Sequence, residues 1–544
     1  MIKNRKKISC CFYSIALFLF IIILTGCRFT KKETPKYIFL ITLDTLRADH
    51  VDYSLENNKK TPNLARLASE GIYFPNAYSL IPITLPSHLA MFYSLPPHIL
   101  KVYNNGEKNS TPLPGLEKIL KKKGYSTGAV IALGSISKQW GIGEDFDEFI
   151  ENYRKPYLWY KSAEEVNQDA FPMIERVKTN KSFFWIHYTD PHAPYYIPAY
   201  KGLFSTSING IKEFVSKSTE RALVKIEAKI DPGENIIDLN TEIPGSFNKD
   251  KRLAISRIAF DDLSIVSKGK NDNLEITYPE EWKISLIGKR QNCETTKVDS
   301  SIRLINKSNK KIDILVSFVY RMIPTVPSIR ILYKQEVAYM DKHIGKLIDF
   351  LKKNNMYKNS LFIIMGDHGE GLGEYRKHVG HIDYLNKCFV NVPLIVCGEG
   401  VRLSGVRKDA VTNLNIAPTI LDIANIKKPA FMMGKSLLGP LKKERIVLET
   451  YSPEARGDAF SIIDFPFQII AYPKREKNKL ELINLEKDFL GIKNLIDSDI
   501  KPSLRSNLIK DIREKSAELS SGRKSKPKIS KRDEEILKAL GYIK

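Results

Sequence analysis

The 544-residue sequence predicts a doubly wound α/β domain interrupted by a β-rich insert, on three observations. Continuous apolar runs of strand length end in polar groups, helical patterns separate them, and one central stretch switches to short alternating strands. In chain order, Tyr37-Ile-Phe-Leu-Ile-Thr-Leu-Asp44 reads as a strand buried on both faces that ends in a carboxylate. A helix starting at Thr61-Pro62 follows. Further strands are expected over 127–133, 183–188, 360–365, 392–397 and 446–448, with helices over 116–123, 337–353 and 414–426. Between about residues 202 and 328 the period becomes two, as in 273–278 and 301–306, with polar turns such as Asn306-Lys-Ser-Asn-Lys310. That stretch reads as a small sandwich inserted into the α/β domain. A small α+β region follows from about residue 450, with strands near 467–472 and 480–483. The tail over 501–544 holds thirteen basic and six acidic residues and ends in an expected helix over 533–540. The expected organisation is a signal segment over 1–27, one α/β domain in two segments over 37–202 and 329–450, an insert over 203–328, and a C-terminal subdomain with its basic tail over 451–544.

The apolar fraction, 43%, suffices for a large core and excludes a disordered chain. The formal charge is +23, and removing Lys3, Arg5, Lys6 and Lys7 with the N-terminal segment leaves +19. Such a balance suits an anionic substrate or a membrane surface; lysine is spread along the whole chain without a nucleic-acid motif, so no nucleic-acid partner is expected. The first 27 residues combine a basic start, an apolar run over 15–24 and Leu24-Thr-Gly-Cys27. The apolar run is shorter than a membrane-spanning helix requires. Leu-Thr-Gly-Cys resembles a bacterial lipobox, which implies cleavage before Cys27, its lipidation, and a tethered protein on the cell or outer membrane facing the periplasm or exterior. Of the six cysteines, Cys293, Cys388 and Cys397 then remain, without metal-knot spacing; a bridge between Cys388 and Cys397 is the one pairing expected.

In open α/β sheets functional groups gather beyond the carboxyl ends of the strands. Here those ends deliver Asp44, then His187, Asp190 and His192, then Gly366-Asp367-His368-Gly369-Glu370. Seven of the nine histidines (His88, His98, His187, His192, His368, His378, His381) lie in or beside these ends or near Thr84. Asp44, Asp367 and His368 offer hard oxygens and an imidazole, the ligand types that hold a divalent cation. Thr84 lies in Ile83-Thr-Leu-Pro-Ser-His88 before a helical run, and a proline at the first helical position would start the helix directly after it. A hydroxyl near the positive end of a helix and bound to a metal is an activated nucleophile; taken alone, a threonine there is more often a cap.

Thr42-Leu-Asp44-Thr-Leu-Arg-Ala-Asp-His50, Thr84-Leu-Pro-Ser-His88, His187-Tyr-Thr-Asp-Pro-His192-Ala-Pro-Tyr195, Val337-Ala-Tyr-Met-Asp341, Gly366-Asp-His-Gly-Glu-Gly-Leu-Gly373 and Asn391-Val-Pro-Leu394 resemble, in this order, the landmarks of the sulfatase family in the alkaline-phosphatase superfamily. The resemblance covers residue 37 to about 450 apart from the insert, and Ile536-Leu-Lys-Ala-Leu-Gly-Tyr542 looks like the tails of bacterial members. It implies an alkaline-phosphatase-like fold, one divalent metal ion (calcium, manganese, zinc or magnesium), a covalent intermediate, and hydrolysis or transfer of a sulfuryl or phosphoryl group. Carried over by position, Asp44, Thr84, Asp367 and His368 form the metal shell. His192 binds the leaving oxygen, and His381, with His378 as its competitor, contacts the anionic group. His88, in place of the arginine of Cys-x-Pro-Ser-Arg, orients Thr84, and His187 joins the catalytic set.

Three departures shape the expectation. Thr84 replaces the cysteine that becomes formylglycine; Thr45 replaces the second aspartate of the usual pair, with His368 where asparagine is often found; and the lysine motif between the nucleophile and the first histidine strand is absent, leaving Lys138 as a loose candidate. The expected activity is hydrolysis of sulfuric or phosphoric esters through Thr84, on a sulfated or phosphorylated glycan, lipid or small molecule. The alternatives are a phosphoethanolamine- or phosphoglycerol-type transferase and an inactive protein that binds an anionic glycan or lipid.

Overall fold

The computed structural model describes residues 34–522 apart from 57, 153–159, 194, 196–202, 216–221, 243–254, 269–272, 288–289, 296–298, 452–456, 476–478, 489 and 499. The signal segment, Cys27 and the expected helix over 533–540 lie outside the described residues. The central sheet has eight strands: β1 (Tyr37–Leu43), β2 (Gly71–Tyr73), β3 (Ser126–Val130), β4 (Glu148–Ile150), β5 (Ser182–Tyr188), β6 (Ser360–Gly366), β7 (Leu394–Gly398) and β8 (Gly405–Val406). Their order is β8-β2-β7-β6-β1-β5-β3-β4. β1 pairs in parallel with both β6 and β5, whereas β7 runs antiparallel to β6, so the sheet is mixed.

All seven residues of β1 are buried, which is why its sequence is a continuous apolar run. Alternate side chains serve opposite layers. Ile38 and Leu40 join the core beneath α2 (Thr84–Tyr93) and α6 (Ile416–Ile423); Phe39, Ile41 and Leu43 join the core beneath α1 (Pro62–Ser69), α4 (Ala163–Arg176) and α5 (Val326–Lys353). Phe39 stacks between Phe184 and Phe362, tying the three central strands together. Helix α5 spans 28 residues, starting well before the expected 337. Pro327 sits in the first turn, where a missing N–H has no helical partner to lose.

Residues between Leu203 and Pro324 form two five-stranded antiparallel sheets. Their facing sides share one core, in which Ile237, Leu239 and Leu304 of one sheet meet Phe260, Ile314 and Phe318 of the other. Residues 446–484 form a four-stranded antiparallel sheet, over which α7 (Pro502–Gly522) packs Leu508, Ile512 and Leu519. Ile446–Thr450 belongs here, not to the doubly wound sheet: a hairpin instead of a helix follows it, and it pairs with Ala459–Asp464. The 392–397 strand divides at Pro393 into Asn391–Val392 and β7, because proline lacks the ladder N–H. Cys388 and Cys397 are free buried thiols; the bridge does not form.

Helix α3 (Leu116–Lys121) carries Glu117, 4% exposed, against the apolar layer. Burial pushes its carboxyl up to about 7. A raised carboxyl binds a proton in the folded chain that the unfolded chain has already lost. Its stabilising share is therefore complete below its ordinary value of 4.5 and is lost as pH rises through about 7. Glu117→Gln is expected to gain stability over the parent near pH 8 but not near pH 4, read from urea midpoints at both values.

Candidate active site

Leu43 pairs with Tyr188 on one side and with Gly366 on the other, so the carboxyl ends of β1, β5 and β6 lie level. The residues that follow each strand are thereby brought to one place. Thr45 turns the chain in the left-handed region, at φ 56°, and its N–H donates to Asp367 Oδ1 at 3.0 Å. Its hydroxyl donates to the Asp44 carbonyl at 2.8 Å. Thr45 thus fixes the geometry of both carboxylates while pointing its own oxygen at the backbone. Asp367 Oδ1 also accepts the His368 N–H at 2.7 Å, which concentrates both donors on one oxygen. Oδ2 of Asp367 is buried without a hydrogen-bond partner, 3.4 Å from His368 Nε2. Asp44 repeats the arrangement: Oδ2 accepts the Thr189 hydroxyl at 3.2 Å, while Oδ1 is buried without a partner, 3.7 Å from His368 Nε2.

His368 Nδ1 lies 3.0 Å from the Gly369 carbonyl oxygen, an acceptor that assigns the proton to Nδ1 and leaves a lone pair on Nε2. That lone pair faces Thr84 Oγ1 at 3.2 Å. Burial, reinforced by the neighbouring His381, pushes the imidazole down to about 3, so it is neutral. Burial works to raise the Asp44 carboxyl, but the His187 hydrogen bond and the neighbouring His192 and His368 imidazoles hold it well below the usual range. Asp367 is pushed well above the usual range by burial and then by Asp44. Donor atoms of Asp44, Asp367 and His368 all lie within 4.8 Å of one another. Two buried carboxylate oxygens without protein donors and a lone-pair nitrogen fixed from behind are the donor set a divalent cation satisfies; the residues fit the metal the resemblance implies.

Thr84 opens α2, preceded by Ile83 as a cap without a side-chain bond. Pro86 is therefore the third helical residue, and the helix includes Thr84 instead of starting after it. The Leu85 N–H is taken by Asn105 Oδ1 at 2.8 Å, and the Ser87 hydroxyl donates to the Asp367 carbonyl at 2.7 Å. Asn413 holds the Ser87 carbonyl at 3.2 Å. These bonds lock the nucleophile turn to the end of β6. His88 Nδ1 donates to the Thr84 carbonyl at 2.8 Å, one turn back, and burial with the adjacent His187 pushes its ring down to about 3. His187 accepts the Ala132 N–H on Nδ1 at 3.2 Å, which turns Nε2–H toward Asp44 Oδ2, 3.5 Å away.

The rings of His192 and His381 are 5.4 Å apart, and His381 lies 4.4 Å from His368, so both join the cluster. Glu370 Oε2 receives His381 Nδ1 at 3.0 Å, a partnership that sequence reasoning missed although Glu370 stands in the quoted motif. Gly369 is required beside it, since a Cβ there would come within 2.2 Å of the Cys388 carbonyl oxygen. His378 packs instead on Tyr384 and Phe389. His98 departs from the expected group: its Nδ1 lies 3.0 Å from Glu449 in the C-terminal sheet. Lys138 holds its ammonium 5.6 Å from the Phe149 ring centroid on β4. Asp190 accepts the Ala163 N–H at 2.9 Å, supporting the first turn of α4. Asn105 and Asn413 give no signal in the sequence; they are ordinary polar residues until the fold brings them to the turn.

A mixed sheet that presents a hydroxyl, two carboxylates and a run of imidazoles in one buried cluster defines a hydrolytic centre for anionic esters. The chain belongs to the sulfatase family, whose pattern matches residues 36–426; it is a sulfatase-like ester hydrolase. Residues 383–518 match the C-terminal region of N-sulphoglucosamine sulphohydrolase. Similar curated proteins include an N-acetylglucosamine-6-O-sulfatase of Bacteroides thetaiotaomicron, 24% identical over 76% of this chain and 72% of that one. Arylsulfatase K of Canis lupus familiaris is 22% identical over 75% of this chain and 66% of its own length. Among solved structures, one in complex with its substrate D-glucosamine-2-N,6-O-disulfate superposes with a TM-score of 0.58 at 16% identity, covering 90% of this chain and 100% of that one. Phosphonate monoester hydrolase of Agrobacterium radiobacter gives 0.55 at 14% identity, covering 89% and 96%. At these identities the structural matches establish the fold.

Proposed function

We propose that this chain is an exported, lipid-anchored hydrolase of sulfate or phosphate esters in which Thr84 forms the covalent intermediate. One observation carries the reading: Thr84 Oγ1 stands 3.2 Å from His368 Nε2, inside the cluster that also holds the unpartnered oxygens of Asp44 and Asp367. Asp44, Asp367 and His368 would hold a divalent cation, which would supply Lewis acidity there, easing loss of the Thr84 proton and offsetting the ester's negative charge. His187 and Thr189 orient Asp44, and His88 holds the Thr84 turn. Thr84 Oγ1 gives its proton to solvent and forms the new bond to sulfur or phosphorus as the bond to the ester oxygen breaks, and His192 gives that oxygen a proton. Water then attacks the same sulfur or phosphorus, returning a proton to His192, as the bond to Thr84 Oγ1 breaks and the threonine takes back a proton from solvent. His381, set by Glu370, contacts the anionic oxygens. The +19 balance left after removal of the N-terminal segment and relatives named for sulfated amino sugars support a sulfated saccharide as the substrate class.

A second reading, phosphoryl chemistry including transfer, is favoured by Thr84 itself. A formylglycine hydrate expels sulfate through its second hydroxyl; threonine has none, so its adduct must be resolved by attack on the central atom. Phosphoryl transfer meets no such obstacle. The test is adduct trapping after exposure to mixed aryl sulfates, phosphate monoesters, diesters and phosphonates, followed by high-resolution mass spectrometry of the Thr84 peptide. A sulfuryl adduct supports the first reading and a phosphoryl adduct the second. No adduct together with no turnover of any ester class supports an inactive binder.

The tether rests on Leu24-Thr-Gly-Cys27. No helix among the described residues is long and apolar enough to cross a membrane. Palmitate labelling of the full chain in a bacterial host is expected to vanish in Cys27→Ala, with the protein moving from the membrane to the soluble fraction; retained labelling would overturn the anchor assignment.

A further inference from the structure

Arg47 touches both the candidate active site and a separate cavity. Its Nη1 donates to the carbonyl of Glu370, whose carboxylate holds His381, at 3.2 Å. The same guanidinium lines a cavity of about 550 Å³ bounded also by residues 49–52, Lys60, Arg330 and Lys334 of α5, Glu374 and Leu490. The acids of this cavity are mostly spent internally. Asp49 and Glu374 both pair with Arg47, at 2.6 and 2.9 Å, and Asp52 accepts the Ser54 N–H at 3.0 Å. The remaining cations are not spent. Arg330 uses Nε on the Leu372 carbonyl at 2.8 Å, a bond that orients its guanidinium. Among the described residues no carboxylate pairs with Arg330, Lys60 or Lys334. Two exposed lysines and a pre-oriented guanidinium thus line one concavity of ligand size.

We propose that this cavity is a second anion site, which takes a sulfate or phosphate ester group on a neighbouring unit of a polyanionic saccharide. The volume accommodates one charged sugar, and the arginine fork matches tetrahedral oxyanions. The saccharide part rests on the substrate class proposed for the Thr84 site; the anion-binding part does not. Occupation of the cavity meets Arg47 directly, and Arg47 bonds the backbone of the residue that sets His381.

The test is calorimetric titration of the full chain with inorganic sulfate and, separately, with D-glucosamine-2-N,6-O-disulfate. The Asp367→Asn protein, whose Thr84 site is impaired, is expected still to bind the disulfate. Adding Arg330→Gln and Lys334→Gln to it is expected to weaken that binding about tenfold or more and to flatten its salt dependence. Disulfate affinity unchanged by the double replacement would overturn the site. Inorganic sulfate binding as tightly as the disulfate would overturn the saccharide assignment and leave a free-anion site. Because binding is read in a catalytically impaired background, failure of the Thr84 mechanism and failure of the cavity proposal give different results.

Discussion

Replacing Thr84 by alanine is expected to lower kcat by roughly four to six orders of magnitude, the scale seen when a covalent nucleophile is removed from an otherwise intact site. Alanine preserves the backbone of the first turn of α2, the Asn105 bond to Leu85 and the Ser87 bond to Asp367, so the fold is expected to remain. The hydroxyl facing His368 is lost, together with the γ-methyl. Thr84→Ser retains an oxygen there and is expected to recover most of the activity. A steady-state assay on whichever ester class yields the adduct checks both. Turnover of the alanine variant close to that of the parent would remove Thr84 from the mechanism. The residual rate then measures what the cation site and His192 contribute without a covalent step.

Much of this centre is legible in the sequence because β1, β5 and β6 announce themselves. Each is an apolar run closed by a polar residue, and parallel neighbours of equal length deliver those residues to one edge. Asp44, His187, His192, Asp367 and His368 follow from that rule alone. What stays hidden depends on pairings between distant segments. Asn105 and Asn413 serve the Thr84 turn from loops with no motif, and His378 and His381 differ only in the fold, where His378 rests on Tyr384 and Phe389 and His381 bonds Glu370. Thr45 shows a different limit. By residue type it reads as a lost metal ligand; in the fold its left-handed backbone makes it the donor that orients Asp367. Strand order fails to be legible for a similar reason: β7 runs antiparallel because the chain returns through Pro393 after the short helix Lys387–Val390, with no long crossover helix to reverse it.

The cation assignment leads to a stability effect that changes sign with the metal. Asp44 and Asp367 are fully buried and close, and in the metal-free protein burial together with Asp44 keeps the Asp367 carboxyl well above its usual range. Asp367→Asn removes one member of this repelling pair while leaving a side-chain oxygen to accept the Thr45 and His368 N–H groups. In chelator the variant is therefore expected to match or exceed the parent in melting temperature. With cation present the order reverses, because the parent gains binding free energy in its folded state and the variant does not. Metal analysis is expected to find one equivalent on the parent and less than about a tenth of that on Asp367→Asn, with ester turnover lost in step. Asp367→Ala would lose the turn anchor as well, so it is expected to melt lower than Asp367→Asn in chelator. A parent whose melting temperature is the same with and without divalent cations would show that the two unpartnered oxygens are satisfied by protons and water, and the reaction would then need another source of positive charge.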